Sequence, residues 1–193
     1  MMSKREVPEK VTSYDAAQLA ESEQGWYFFD AAWKNWRVMF SNISGNSILD
    51  LGCGSGIGLS LAKVFRPHLS VTGVEMDSGY AKTWESRGIN VVEDDIFNLS
   101  FPDQSFDTVW SSHVIEHLIE PKQMIAESIR VARHRVIHSV PVGNVDDKNM
   151  GTPHIEIYNR INFSKLFSDF DYKLSIFYVE DAYMSSFVAV VEK

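Results

Sequence analysis

From Ser47 onward, short apolar runs alternate with stretches of helical period. Ser47 to Leu51, Leu69 to Glu75, Asn90 to Glu93, Phe106 to Ser111 and Arg135 to Val140 each read as a strand. The run from Phe106 is apolar enough to be buried on both faces, as a central parallel strand is. Between the runs, helices are expected over about 57–65, stopped before Pro67, and over 79–86, closed by Gly88. Pro121 opens a further helix to about Ala132, since a proline in the first turn gives up an N–H that has no partner there. Asn162 is read as the cap of a helix through Phe167. Tyr172 to Glu180 and Ser186 to Glu192 close the pattern as two more strands. Strands separated by helices imply right-handed crossovers and a parallel sheet. The short link 181–185 favours a hairpin and hence one antiparallel strand. The expected fold is α/β, a Rossmann-like three-layer sandwich. Its seven-stranded sheet is mostly parallel with the last strand antiparallel, and helices cover both faces.

Ahead of this pattern, residues 1–13 are polar, and 14–41 read as helical and aromatic. Trp26, Phe29, Trp33, Trp36 and Phe40 fall three or four residues apart and form one stripe. Such a stripe either packs a helix onto the sheet or closes over a ligand, and different faces could do both. No repeat or linker divides the chain, so residues 1–193 read as one domain, with 1–45 a helical cap on a core of 46–193.

Composition narrows the class. Of the residues, 45% are hydrophobic and 12% aromatic, which suits a folded core. The formal net charge of -8 disfavours phosphate backbones and anionic membranes, so no nucleic-acid or membrane partner is expected. The basic run Arg130 to Arg135 reads as a solvated helix end near the C-terminal dipole. A single cysteine, Cys53, rules out an internal disulfide and suits a reducing compartment. The polar start lacks the apolar stretch of a signal peptide, and no run has membrane-spanning length. A cytoplasmic protein, monomeric or homodimeric, is expected.

The chemistry begins at Asp50-Leu51-Gly52-Cys53-Gly54-Ser55-Gly56, a glycine-rich turn between a strand and a helix. Such a turn brings backbone close to a ligand, and the helix start offers free N–H groups. Isoleucine at position 57 breaks the G-x-G-x-x-G of dinucleotide loops, and no Gly-Lys-Ser/Thr follows. Further on, Glu75 ends a strand where an acid can accept from ribose hydroxyls. The segments Asp94 to Asp103 and Phe106 to Leu118 follow. Together the four resemble the ordered motifs of class I S-adenosylmethionine (SAM) dependent methyltransferases, small-molecule type, over about Ser47 to Pro141. In that resemblance Asp50, Gly52, Cys53, Gly54 and Gly56 cradle the methionine part of SAM. Glu75 binds the ribose, and Met76 lies on the adenine. Asp95 accepts from the adenine amino group beside the Ile96 N–H, with a one-residue ambiguity toward Asp94. The Ser111 backbone meets the methionine, and Arg37 could pair with the SAM carboxylate. The product would be S-adenosylhomocysteine.

Side chains at strand C-termini line the crevice in such folds. That nominates Ser112, His113, Glu116 and His117 after the fourth strand, and the loop 141–158 after the fifth. His113 and His154 are the candidate general bases, because histidine titrates near neutrality; each could equally be a packing residue, and His117 reads as structural. No metal is expected: Asp146, Asp147 and Asn149 have unconvincing spacing, and no cysteine cluster exists. The expected activity is methyl transfer from SAM to an O or N atom of a small-molecule or carbohydrate-like acceptor by in-line displacement. The alternatives are a non-catalytic SAM-binding or partner-binding domain and, more remotely, a nicotinamide-dependent enzyme.

Overall fold

Alternate residues of each central strand face opposite sides of the sheet, and the sequence supplies apolar groups to both. Ile48, Trp110 and Ile137 point to one face, where Trp36, Met39, Phe40, Leu59 and Ala62 pack on them. Their neighbours Leu49, Val109 and Val136 point to the other, against Met124, Ile125, Ile129, Phe163 and Phe167. A computed structural model describes this arrangement for residues 34–76, 89–142, 155–180 and 185–193.

Helix α1 covers residues 34–41 of the described chain. It is followed by β1 (Ser47–Leu51), α2 (Ile57–Phe65), β2 (Ser70–Val74), β3 (Asn90–Val92) and β4 (Phe106–Ser112). A 3-10 turn at Ile115–His117 leads to α3 (Pro121–Val131), β5 (Ala132–Pro141), α4 (Arg160–Lys165), β6 (Lys173–Val179) and β7 (Ser186–Glu192). The sheet order is β3-β2-β1-β4-β5-β7-β6. Strands β1 to β5 pair in parallel. Strand β7 is antiparallel to both β5 and β6, so it is the single reversed strand. The expected α/β fold is therefore the observed one, with β7 lying one place in from the edge. The expected helix at 79–86 lies outside the described residues, as does the aromatic sequence up to Trp33.

Most boundaries shift by a residue or two from the sequence reading, and three of the differences have a clear local cause or extent. Helix α3 passes into β5 at Ala132 without a loop, because Ala132 already has extended angles (φ -75°, ψ 140°). Strand β4 runs one residue further, to Ser112. The cap of α4 is Asn159, whose side chain accepts from the Ile161 and Asn162 N–H groups, while Asn162 accepts from the Asn159 N–H. Asn162 is thus the reciprocal member of a capping box.

Described members of the aromatic stripe are core. Trp36 and Phe40 stack at 5.7 Å, and both lie against the buried Trp110 ring. Under the opposite face, His138 is fully buried between two serines. Ser128 donates to the Ile125 carbonyl at 2.7 Å, so it accepts from His138 Nε2–H at 3.0 Å. Nδ1 then accepts from the Ser111 hydroxyl at 2.8 Å. Burial holds this imidazole down to about 3, so it stays neutral and its two bonds are structural.

Candidate functional site

The strand order reverses between β1 and β4, and ligands of open α/β sheets bind beyond the strand ends at such a point. A cleft of about 420 Å³ opens there, within the usual range for small-molecule sites. Its walls are Gly52, Val74, Glu75, Met76, Asp94, Ile96, His113, Val114 and His117.

The glycine turn forms one wall. Gly52 and Cys53 donate their N–H groups to the Val74 carbonyl at 2.9 and 3.0 Å, which anchors the turn on β2. Gly54 sits at φ +49°, and a Cβ built there would meet no atom within 4 Å. The missing side chain leaves room that none of the described residues uses. Glu75, just beyond β2, accepts from the Gly54 N–H at 2.8 Å and the Met76 N–H at 2.9 Å. Its carboxylate is fixed against the glycine turn and still has lone pairs for hydroxyl donors. Met76 is 72% exposed beside it.

Asp50, the penultimate residue of β1, is buried. Burial pushes its carboxyl up to about 7, the Trp110 indole N–H draws it back, and the Glu75 charge adds to the rise. That indole has no well-formed hydrogen bond of its own. Burial also pushes the Cys53 thiol up, with Asp50 and Glu75 adding to it, so the sulfur is a protonated packing group and no nucleophile.

The acidic loop resolves the ambiguity between its two aspartates. Asp94 and Ile96 line the cleft, while Asp95 is exposed and turns back to accept from the Phe97 N–H at 2.9 Å. Asp94 accepts from the Asp95 N–H at 2.9 Å and, through Oδ2, from the N–H and hydroxyl of Ser100 at 2.9 and 2.8 Å. Of the two aspartates, Asp94 is the one that lines the cleft, and the Asp95 carboxylate is held on the Phe97 N–H.

Beyond β4 the backbone is strained. His113 has φ +56°, a left-handed conformation rare outside glycine. Its N–H donates to the Ser139 carbonyl at 3.0 Å, and Nε2 lies 3.3 Å from Ser186 Oγ. The strand end thus pins an imidazole on the cleft wall. His117, read from sequence as structural, also lines the cleft, with its side chain 32% exposed. Glu116 between them is 1% exposed, and neither carboxylate oxygen has a hydrogen-bond partner. Burial pushes it up to about 8, against a small opposing effect of its own backbone N–H. His117 Nε2 lies 3.8 Å from Oε1. The Glu116 carbonyl accepts from Ile155 and Glu156, so the return of the long loop docks on this turn. His154 itself lies outside the described residues, with the rest of 143–154.

Several expected residues, Asp50, Cys53, Gly54, Gly56, Ser111 and Arg37 among them, are not on the lining of this cleft, and the contact expected of Ser111 is one of its backbone. Ser111 is fully buried with its hydroxyl on His138, and it is not among the cleft-lining residues. Arg37 is exposed on α1 and does not line the cleft. A polar cluster ties α1 to the strand ends: Asn35 donates to Ser139 Oγ at 3.1 Å and to Ser112 Oγ at 3.4 Å.

The residues present suit the SAM expected from sequence. A cradle that a Cβ would fill, an acid held at the β2 tip and a second acid with an adjacent backbone N–H stand around one cleft. Comparison with known proteins agrees. Residues 49–138 match the family model described as a methyltransferase domain. An uncharacterized 37.1 kDa protein of a Streptomyces fradiae transposon is 33% identical over 136 residues, covering 66% of this chain and 37% of that protein. The phosphatidylethanolamine N-methyltransferase of Cereibacter sphaeroides is 31% identical over 100 residues, 48% of each chain. The chain thus spans less than half the length of either relative. A SAM-dependent methyltransferase structure from Archaeoglobus fulgidus superposes with a TM-score of 0.71 at 16% identity, covering 89% of this chain and all of that one. Residues 49–138 of the chain are thus a methyltransferase domain of the SAM-dependent kind.

Proposed function

We propose that the chain transfers a methyl group from SAM to an O or N atom of a small-molecule or carbohydrate-like acceptor by in-line displacement. One observation carries the reading: Gly52, Glu75, Asp94 and Ile96 line one cleft, and Glu75 is held there by the N–H of Gly54 in the glycine turn. SAM supplies an electrophilic methyl on its sulfonium. The protein's part is binding, orientation and water exclusion, which supply much of the acceleration in such a transfer.

In this reading Glu75 accepts from the ribose hydroxyls, and Asp94 with the Ile96 N–H reads the adenine edge. Met76 covers the ring, and Asp50 meets the ammonium end. His113, pinned by Ser139 and Ser186, is the base for an acceptor that must lose a proton, and His154 is the second candidate. The relative named for phosphatidylethanolamine N-methylation supports nitrogen as one acceptor atom. The net charge of -8 supports a partner that is neither nucleic acid nor anionic membrane. Among the described residues no helix is long and apolar enough to cross a membrane. The working form in this reading is a cytoplasmic monomer or homodimer, with residues 1–45 capping the 46–193 core.

Titration calorimetry with S-adenosylhomocysteine and NAD tests the cofactor, and an acceptor panel scored for a gain of one methyl tests turnover. Binding of the first ligand but not NAD is expected. Tight binding without turnover on any acceptor would favour a non-catalytic binding domain, and NAD binding alone would overturn the reading.

The Asp50 role has its own pH signature. With its carboxyl near 7, Asp50 is half protonated at neutrality and must ionise to meet an ammonium. Affinity for S-adenosylhomocysteine is expected to fall by up to about tenfold per pH unit below 7. Asp50→Asn is expected to bind more weakly and to flatten that dependence. An affinity constant from pH 5.5 to 8 in the wild type would remove Asp50 from the site.

A further inference from the structure

We infer that Arg130, on the far side of α3 from the cleft, is a positioning residue that sets the adenine selectivity of the site through the Leu99–Ser100–Phe101 segment. The inference rests on the reading of Asp94 as the adenine-side acid. A guanidinium has five N–H donors, and here each one has an acceptor. Nε donates to Glu127 Oε1 at 2.8 Å, and Nη1 to the Phe101 carbonyl and Asp103 Oδ1, both at 2.8 Å. Nη2 donates to the Leu99 carbonyl at 2.9 Å and Glu127 Oε2 at 2.7 Å. Glu127 also accepts from the Leu99 N–H at 2.9 Å. Both backbone groups of Leu99 are therefore held by side chains of one helix. One turn earlier on that helix, Gln123 donates to the Phe97 carbonyl at 3.1 Å.

Leu99 and Phe101 flank Ser100, the residue whose N–H and hydroxyl orient the Asp94 carboxylate. The path from helix to cleft is thus continuous: Arg130, two backbone carbonyls, Ser100, Asp94. None of its links spans more than one hydrogen bond. The run of arginines is accordingly no basic surface for a polyanion. Arg133 is paired with Asp107, and Arg135 with Glu192 and the Asn42 carbonyl. A lysine cannot replace Arg130, since three donors on one nitrogen cannot serve five acceptors spread over a planar fork.

The test compares S-adenosylhomocysteine with S-inosylhomocysteine, which carries a carbonyl in place of the adenine amino group, by calorimetry on the full chain. The wild type is expected to prefer the adenine compound by about tenfold or more, because the inosine carbonyl opposes a carboxylate. Arg130→Lys and Arg130→Gln are each expected to lose about tenfold in affinity for the adenine compound and most of that preference, since a small misplacement of a reading group is costly. Glu127→Gln, which leaves the two carbonyl contacts in place, should move the same way by less. A loss of stability alone would not change the ratio of the two affinities. A folded Arg130→Lys with the wild-type ratio overturns the inference. Should both Arg130 variants fail to fold, an unchanged ratio in Glu127→Gln overturns it equally. A wild type that does not distinguish the two compounds overturns the Asp94 reading itself, and the inference with it.

Discussion

Gly54→Val is expected to leave the protein folded and to weaken S-adenosylhomocysteine binding by about a hundredfold or more, roughly 2.7 kcal/mol. The unliganded protein has room for the new side chain, since no atom lies within 4 Å of the Cβ position. It meets only the cost of holding a branched residue at φ +49°, about 1–2 kcal/mol of stability. The ligand meets the side chain itself. Gly58, one turn into α2, provides the opposite case. A Cβ there would come 2.4 Å from the Trp36 ring, inside the core beneath α1. Gly58→Val should therefore lower stability by about 1–3 kcal/mol or more through overpacking, with little change in affinity per folded molecule. Thermal denaturation and calorimetry on both variants separate the two effects. Wild-type affinity in Gly54→Val would show that the turn is not the cofactor site.

Glu116→Gln is expected to stabilise the protein at pH 8.5 by about 2–4 kcal/mol and to change it little at pH 5. In the folded chain Glu116 titrates near 8, and in the unfolded chain near the ordinary 4.5. Below 4.5 both states hold the proton and no penalty arises. As pH rises from 4.5 toward 8, the unfolded chain gives up its proton and the folded chain keeps it, so stability falls by about 1.4 kcal/mol per pH unit. Above 8 the loss is complete, and a buried carboxylate without a hydrogen bond remains. Over that window the loss has an upper bound of roughly 5 kcal/mol. Glutamine has the shape of the protonated acid and no charge to lose. Denaturant unfolding of both proteins at the two pH values checks this. Equal stabilisation at both would mean that Glu116 is not kept protonated by burial.

The strands were legible because each central one has a short apolar pair at its centre, with polar residues around it and glycine or proline beyond. Val109/Trp110 and Val136/Ile137 have no polar face, and each feeds both layers. Other boundaries depended on angles that composition does not carry. Nothing in Val131-Ala132-Arg133 announces that a helix becomes a strand within one residue. The Asn159–Asn162 pair reads equally well with either asparagine as the cap, and only the reciprocal bonds decide. In the site, the glycine turn and Glu75 were legible from residue type and spacing. Asp94 was not separable from Asp95, because which carboxylate faces the cleft is set by the direction in which β3 ends. The role of Arg130 was hidden for a different reason. Two of its five acceptors, the ones that lead to the cleft, are backbone carbonyls about thirty residues away, and carbonyls have no letter in a sequence. The isolation of Glu116 follows from a 3-10 turn that buries Ile115 and Glu116 while presenting Val114 and His117 to the cleft.

Strand β7 sits between β5 and β6, and β6 has no other neighbour in the sheet. A ribosome therefore delivers β5 and β6 before the strand that joins them. The outer edge of β5 must wait while the residues from 142 to 185 are made, which takes seconds at about 5–20 residues per second. During that interval a buried-type strand has its hydrogen-bonding edge open to any passing chain. Stalled or truncated translation products that stop before Ser186 are thus the form of this protein most exposed to aggregation and most in need of a chaperone.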